Sequence, residues 1–271
     1  MPSPPPRPPA WEERAAERML AVLGPKLPRI KQPEPPEALR PFDRFLAPRR
    51  DGGMLDATWF PAEDARGAVL LAPPWLEWGQ AYFHRRGRIE ALRAERYHVL
   101  TFDLAGFGRS TLARRFRDID VEEALDVMAA RAGGLPQHLW GVSSGGYWAH
   151  PVLALRDGVT SAVFEDVSPH LIEYGAHRAH LPLSWLGRVF PRAYAFEDLR
   201  QQAPHLRVER CLYVGGARDA AIRARDFVEL ARLAPRGELL LVPGAAHLGA
   251  IKASPGKVIG AALRTFGWAK G

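Results

Sequence analysis

The sequence has 271 residues, enough for one α/β domain with a large buried core and a small insertion. Its formal net charge of +7 would suit a nucleic-acid partner, but only five of the 37 basic residues are lysines and no stretch resembles a nucleic-acid-binding module. No apolar run predicts a membrane span or a secretory signal. Cys211 is the only cysteine, which excludes an intramolecular disulfide, and we expect a cytoplasmic protein that does not bind nucleic acid.

Residues 1–41 are predicted to form a proline-rich arm. Residues 1–10 contain six prolines, a composition that samples polyproline II and cannot build a core. We expect this tail to lie on the surface; a ligand for a proline-recognising domain is the alternative. Apolar residues recur at helical spacing over 11–23, and Gly24-Pro25 stops that helix before a linker. The apolar side of the helix is expected to dock on the domain that follows, residues 42–271.

Strand and helix patterns alternate through that domain. Strands are predicted at 43–47, 54–60, 68–72, 98–102, 137–142, 161–167, 210–214 and 238–242. Helices are predicted at 84–96, 120–131, 144–156 and 220–233, with another beyond His247. The alternation favours a mostly parallel eight-stranded sheet with helices on both faces.

Residues 168–206 interrupt the alternation after the sixth predicted strand. They are rich in apolar and aromatic side chains, and we expect them to form a small helical cap over the ends of the strands. Three histidines of this insertion, His170, His177 and His180, match no familiar metal-binding spacing. We therefore expect neither a metal nor another cofactor.

Residues 141–145 carry the pattern G-x-S-x-G between a predicted strand and a predicted helix. A serine in such a turn has strained backbone geometry, and its hydroxyl projects above the sheet. Side chains two positions before and after that serine would crowd the turn, so glycine is favoured there. Ser143 is therefore the candidate nucleophile. Ser144 is a poorer candidate, because the residue two positions before it is the β-branched Val142 and not a glycine.

A serine hydroxyl needs a neighbouring base, which is itself oriented by an acid. Asp219 follows the seventh predicted strand and His247 follows the eighth. Because the carboxyl ends of parallel strands meet at one edge of a sheet, both can converge on Ser143. Asp219 could instead cap the next helix. In that case Asp166, which ends the sixth predicted strand, would be the orienting acid.

In these features the chain resembles the α/β-hydrolase-fold superfamily, of the serine hydrolase or esterase type, over roughly residues 40–270. The resemblance rests on the turn at 141–145, on the turn at 103–110 after the fourth strand, and on the order serine, aspartate, histidine. It implies that Ser143, His247 and Asp219 form a catalytic triad. It does not imply a substrate, because this fold hosts many reactions.

One departure from the family concerns the oxyanion hole. The resemblance implies that the N–H of Ser144 is the first donor. Where the family usually has His-Gly after its third strand, this chain has Pro73-Pro74, and neither proline has an N–H. The second donor must then come from Trp75 or Leu76. An impaired oxyanion hole, and hence a weak catalyst or a binding protein, is the alternative.

The expected substrate is a small molecule, a carboxylic ester with a small to medium apolar acyl group. The predicted pocket residues are Leu76, Trp78, Trp148 and Trp185. A thioesterase, an amidase or peptidase, a carbon–carbon hydrolase and an acyltransferase are the alternatives that share the triad. A non-catalytic ligand-binding protein on the same fold is the alternative from another class. No feature of the sequence indicates an oligomeric state.

Overall fold

A computed structural model describes residues 3–12, 15, 37, 41–74, 79–111, 118–170, 189–196 and 198–267. Most of the arm's linker, most of its predicted helix and about half of the predicted cap therefore lie outside the described residues. Within the described ranges, no helix has both the length and the apolar character needed to cross a bilayer.

A single eight-stranded sheet forms the centre of the domain, in the order β1-β2-β4-β3-β5-β6-β7-β8. The strands are β1 Asp43–Pro48, β2 Met54–Phe60, β3 Gly67–Ala72, β4 Tyr97–Phe102, β5 Gln137–Val142, β6 Ser161–Glu165, β7 Arg210–Gly216 and β8 Gly237–Val242. β2 runs antiparallel to β1 and β4, and the other neighbouring pairs are parallel. This confirms the predicted mostly parallel sheet and puts the carboxyl ends of β3 to β8 along one edge.

Helices cover both faces of this sheet. They are α1 Gly79–Arg85, α2 Arg88–Ala94, α3 Asp118–Arg131, α4 Ser144–Leu155, α5 Pro191–Phe196, α6 Leu199–Gln202, α7 Ala224–Leu233, α8 Ala250–Ala253 and α9 Pro255–Thr265. Apolar side chains of α3, α4, α6 and α7 form the core on one face. Those of α1, α2, α8 and α9 form the core on the other. The continuous apolar run of β3, which has no exposed residue, separates the two cores.

Two predicted helices differ from those observed. The single helix predicted at 84–96 is two helices, because Gly87 has a φ of 67° and turns the chain between α1 and α2. The helix predicted at 220–233 begins only at Ala224. The side chain of Asp219 accepts hydrogen bonds from the N–H groups of Ala221 and Ile222, at 2.8 and 3.0 Å, and holds this part of the chain in a loop.

The described part of the arm contacts both the domain and the insertion. Arg7 lies 3.4 Å from the carboxylate of Glu122 on α3. The carboxylate of Glu12, a 2% exposed residue, accepts hydrogen bonds from the N–H groups of Arg192 and Ala193 at 2.8 and 3.0 Å. A helix leaves its first N–H groups without intrahelical partners, so a side chain of the arm supplies the missing acceptors at the start of α5.

His150 joins α4 to β7 through a fully buried imidazole. Its Nδ1 lies 2.8 Å from the Gly146 carbonyl oxygen and its Nε2 lies 3.0 Å from the Tyr213 hydroxyl. A neutral ring fits both contacts if Nδ1–H donates to Gly146 and the Tyr213 hydroxyl donates to Nε2. Burial lowers the pKa of His150 to about 4, and the Gly146 carbonyl only partly opposes this.

We expect His150 to make the protein less stable in acid. Between pH 6.5, where an unfolded histidine titrates, and about 4, the unfolded chain takes up a proton that the folded imidazole does not. The free energy of unfolding should fall by up to about 3 kcal/mol over this window. His150→Gln should flatten the profile measured by urea unfolding at each pH, whereas His205→Gln, at a partly exposed site, should not. An unchanged slope in His150→Gln would contradict the assignment.

Candidate active site

Ser143 lies between β5 and α4 with φ 49° and ψ −117°. This combination is rare for a residue with a side chain and stores strain unless neighbouring contacts maintain it. The N–H of Ser143 donates to the Glu165 carbonyl at 2.7 Å, and its own carbonyl accepts from the Tyr147 N–H at 2.8 Å. The first bond ties the turn to the end of β6, and the second begins α4. This strained strand-to-helix turn, the elbow, is the backbone geometry that the sequence pattern predicts at Ser143.

Three glycines allow the backbone to pack closely at this turn. A Cβ on Gly141 would lie 2.4 Å from the Cα of Gly146. A Cβ on Gly145 would lie 2.3 Å from the carbonyl oxygen of Ala72, at the end of β3. Real Cβ atoms do not approach other atoms this closely, so any side chain would move α4 away from the sheet. The sequence pattern identified two of these glycines. Gly146 is a third, since its Cβ would lie 2.5 Å from Val167.

Asp219 and His247 meet at the same edge of the sheet. Asp219 lies three residues beyond β7, His247 lies five beyond β8, and the imidazole Nδ1 is 2.9 Å from Asp219 Oδ2. The carboxylate side chain is fully buried, and a quarter of the imidazole surface is exposed. The other carboxylate oxygen accepts the backbone N–H groups that shape the loop after β7. The alternative that Asp219 caps the next helix is wrong, because that helix begins at Ala224 with Arg223 as its N-cap. The Asp219 carboxylate instead holds the loop after β7 and contacts His247.

Several interactions set the charge of Asp219. Burial alone would raise the pKa of this carboxyl. The hydrogen bond with His247 and those from Ile222 and Ala221 outweigh burial, and the pKa lies below its usual value. Asp219 is thus ionised at neutral pH and faces the Nδ1–H of the imidazole. Because Nδ1 carries the proton in this arrangement, the lone pair of His247 lies on Nε2.

Asp166 lies beside this pair as a second carboxyl. One ligand atom from each of Asp166, Asp219 and His247 lies within 4.8 Å of the other two, which is close enough to share a metal ion. Burial raises the pKa of Asp166 well above its usual value, and the carboxylates of Glu165 and Asp219 raise it further. The raised pKa favours the protonated form of this carboxyl, and a protonated carboxyl is a poor metal ligand.

A buried ion pair that the sequence did not indicate lies next to this site. Glu165, the last residue of β6, accepts from Arg88 Nη2 at 2.5 Å and from Trp140 Nε1 at 3.0 Å. Both charged side chains are fully buried, and the Arg88 guanidinium lies 5.0 Å from the Trp140 ring centroid. Because the Glu165 carbonyl also holds the N–H of Ser143, this pair fixes the strand end that supports the elbow.

The remaining predicted site residues are placed as follows. Ser144 is the first residue of α4; it is buried, and its hydroxyl has no hydrogen-bond partner among the described residues. The ring of Trp148 packs edge-to-face on Tyr147, with centroids 4.8 Å apart, and against the core on that face of the sheet. The predicted oxyanion and pocket residues Trp75, Leu76, Trp78 and Trp185 lie outside the described residues.

We expect Gly145→Ala to damage the elbow, because its Cβ would overlap two backbone carbonyls. Overpacking of this kind costs about 1–3 kcal/mol of unfolding free energy. Gly256→Ala, in the first turn of α9, is the matched control, since its Cβ would meet no atom within 4 Å. Urea unfolding followed by circular dichroism measures both. Equal midpoints for the two variants would show that the close approach at Gly145 is unimportant.

A family model and several solved structures match the chain. Residues 67–193 match a family model described as the alpha/beta hydrolase fold. An esterase from Pyrococcus furiosus is 19% identical with a TM-score of 0.69, over 90% of this chain and 98% of the other. A hydrolase from Pseudomonas aeruginosa is 19% identical with a TM-score of 0.65, over 83% and 99%. A bromoperoxidase from Bacillus anthracis is 14% identical with a TM-score of 0.61, over 83% and 100%.

No curated protein sequence matches the chain at a significant level. At such low identities the structural matches establish the fold and leave the reaction to be argued from the site. The sheet order, the two helical layers and the matched family model agree with one another. The chain has the α/β-hydrolase fold, as its resemblance to that superfamily implied.

Proposed function

We propose that the protein is a serine hydrolase that cleaves a carboxylic ester of a small to medium apolar substrate. The observation that carries the proposal is the hydrogen bond of 2.9 Å between His247 Nδ1 and Asp219 Oδ2. This pair lies at the carboxyl edge of the sheet, where the strained turn also places Ser143. A nucleophile, a histidine base whose Nδ1 is held by an acid, and that ionised acid are the groups that acyl transfer requires.

In the first half of the reaction, Ser143 Oγ attacks the acyl carbon and His247 Nε2 takes the hydroxyl proton. The imidazolium that forms is stabilised by the Asp219 carboxylate. His247 then gives the proton to the leaving alkoxide oxygen as the ester bond breaks. The alcohol departs, and the acyl group remains on Ser143.

In the second half, water replaces the alcohol. His247 Nε2 takes a proton from water while the water oxygen attacks the acyl carbon. The bond to Ser143 Oγ breaks, the proton returns to that oxygen, and the carboxylic acid is released. The enzyme is regenerated without net redox change or cofactor.

The negative charge on the tetrahedral intermediates needs donors that are already in place. The N–H of Ser144, at the start of α4, is the first donor in this proposal. Since it belongs to the first turn of α4, it has no intrahelical acceptor of its own. The second donor would be the N–H of Trp75 or Leu76, in the segment that follows Pro73-Pro74.

We expect Ser143→Ala to abolish labelling by a fluorophosphonate probe, because the probe forms its covalent bond with an activated serine oxygen. Ser144→Ala is the matched control: it removes the neighbouring hydroxyl, which has no hydrogen-bond partner among the described residues, and keeps the backbone N–H. Ser144→Ala should therefore still react. Ser143→Ala and His247→Ala should each lower kcat for an ester by on the order of 10⁴ or more. A Ser143→Ala enzyme with near-wild-type turnover would refute the mechanism.

A panel of p-nitrophenyl esters, matched thioesters and anilides separates the alternatives that share the triad. The apolar composition of the insertion favours esters with medium-length acyl chains over acetate. Labelling of wild type without turnover of any member of the panel would favour the non-catalytic or impaired alternative.

We expect Asp219→Asn to lower kcat by about 10⁴, because an amide neither favours the required tautomer nor stabilises the imidazolium. Asp166→Asn is a nearly isosteric control at the neighbouring carboxyl. Since the raised pKa disfavours a charge on Asp166, this change should disturb the electrostatics of the site less than Asp219→Asn does and should lower kcat less than about tenfold. Steady-state kinetics at pH 7.5 measures both. A larger loss in Asp166→Asn would transfer the acid role to Asp166.

A further inference from the structure

A cavity lies at the edge of the sheet opposite to the edge that carries Ser143. Its volume is about 210 Å³, several times the roughly 30 Å³ that one water occupies in the liquid. The cavity lies where the parallel strands begin and the last helix ends. Its described lining is Arg66, Tyr97, Pro136, His138, Thr160, Arg210, Thr265, Phe266 and Gly267.

Two arginines make this cavity cationic. Arg66 directly precedes β3, and Arg210 is the first residue of β7. No carboxylate belongs to the described lining. His138 adds no positive charge, because burial and then the charges of Arg66 and Arg210 lower its pKa to about 4. Both guanidinium groups line the same cavity as the His138 imidazole and act on its pKa.

The Arg66 guanidinium has unmet hydrogen-bonding capacity. The guanidinium carbon Cζ of Arg66 lies 4.7 Å from the centroid of the Tyr97 ring, a cation–π contact. Its Nε and Nη2 atoms are buried and have no hydrogen-bond partner among the described residues. A contact between an N–H group and a ring face is weak and does not replace an oxygen acceptor. Buried donors without acceptors are costly, and an oxyanion matches the donor geometry of arginine.

One wall of the cavity is aromatic. The rings of Tyr97, His138 and Phe266 form a cluster, with centroids between 5.0 and 6.0 Å apart. The Tyr97 hydroxyl donates to the Phe266 carbonyl at 3.0 Å, and His138 Nδ1 lies 2.8 Å from the Ser161 hydroxyl. These bonds fix the orientation of the Tyr97 and His138 rings. An apolar group of a ligand could therefore pack on the rings while its charge faces the arginines.

We propose that this basal cavity, defined by the nine residues above, is a binding site for a small anion that carries a carboxylate or a phosphate. Arg66 and Arg210 bind the oxyanion, and the Tyr97–His138–Phe266 cluster contacts the remainder of the ligand. The site is separate from the proposed active site, since the length of the parallel strands lies between them. It does not depend on the proposed hydrolase activity.

The test is the thermal midpoint and the binding heat of the full-length protein with phosphate, acetate and benzoate. Sodium chloride at equal ionic strength is the reference for each. We expect a saturable rise in the midpoint with at least one of the three anions. Phosphate alone would identify a phosphate site, and benzoate binding more tightly than acetate would identify a carboxylate site that uses the rings. If none of the three anions gives a saturable response beyond that of chloride, the proposal is overturned.

Variants distinguish the cavity from general screening of a basic protein. Arg210→Gln, at an exposed residue that should not affect folding, is expected to weaken binding by about tenfold, the loss typical of a charged hydrogen bond. Arg66→Gln should have at least the same effect. Arg225→Gln removes the same charge from a side chain that is 70% exposed and outside the cavity, and should bind like wild type. Equal binding by Arg210→Gln and Arg225→Gln would also overturn the proposal.

Discussion

The close contact between the start of α4 and the end of β3 is the constraint on which the rest of the carboxyl edge depends. Gly145 lies against the Ala72 and Pro73 carbonyls with no room for a methyl group. Because the helix begins this near to the sheet, the residue before it has to take a positive φ, and that residue is Ser143. The strain is retained because hydrogen bonds on both sides of Ser143 belong to regular structure, one to β6 and one to α4.

The carboxyl groups at this edge of the sheet differ in their partners and in their pKa shifts. Glu165 is paired with a buried arginine, Asp219 is stabilised by an imidazole and two backbone N–H groups, and burial raises the pKa of Asp166. Of the two carboxyls nearest His247, the ionised form is therefore favoured at Asp219 and disfavoured at Asp166. An unpaired ionised carboxylate at Asp166 would be expensive to bury and would compete for the same imidazole. The two acids next to His247 thus have pKa shifts of opposite direction.

The sequence predicted those parts of the fold that are specified by residues close to one another in the chain. The strands β2 and β5 have the predicted bounds, because each is a short segment that glycine, proline or serine turn residues delimit at both ends. The elbow was recognisable for the same reason, since its glycines lie within a few residues of Ser143. The buried pair of Arg88 and Glu165 was not predicted, because its members are 77 residues apart and nothing nearby in the chain marks either as buried. The positions of Asp166 and Asp219 relative to His247 were likewise not predictable, because they depend on where the loop after β8 lies.

The arm has a consequence for the insertion that follows β6. Glu12 supplies the first turn of α5 with acceptors from a point 180 residues earlier in the chain. Order in the arm and order in the insertion are therefore thermodynamically linked, so a free-energy change in one is felt by the other. A protein that captured the proline-rich segment, or a protease that removed it, would change the conformational ensemble of the insertion without contacting it. The arm and α5 would then be coupled allosterically through the Glu12 carboxylate and the N–H groups of Arg192 and Ala193.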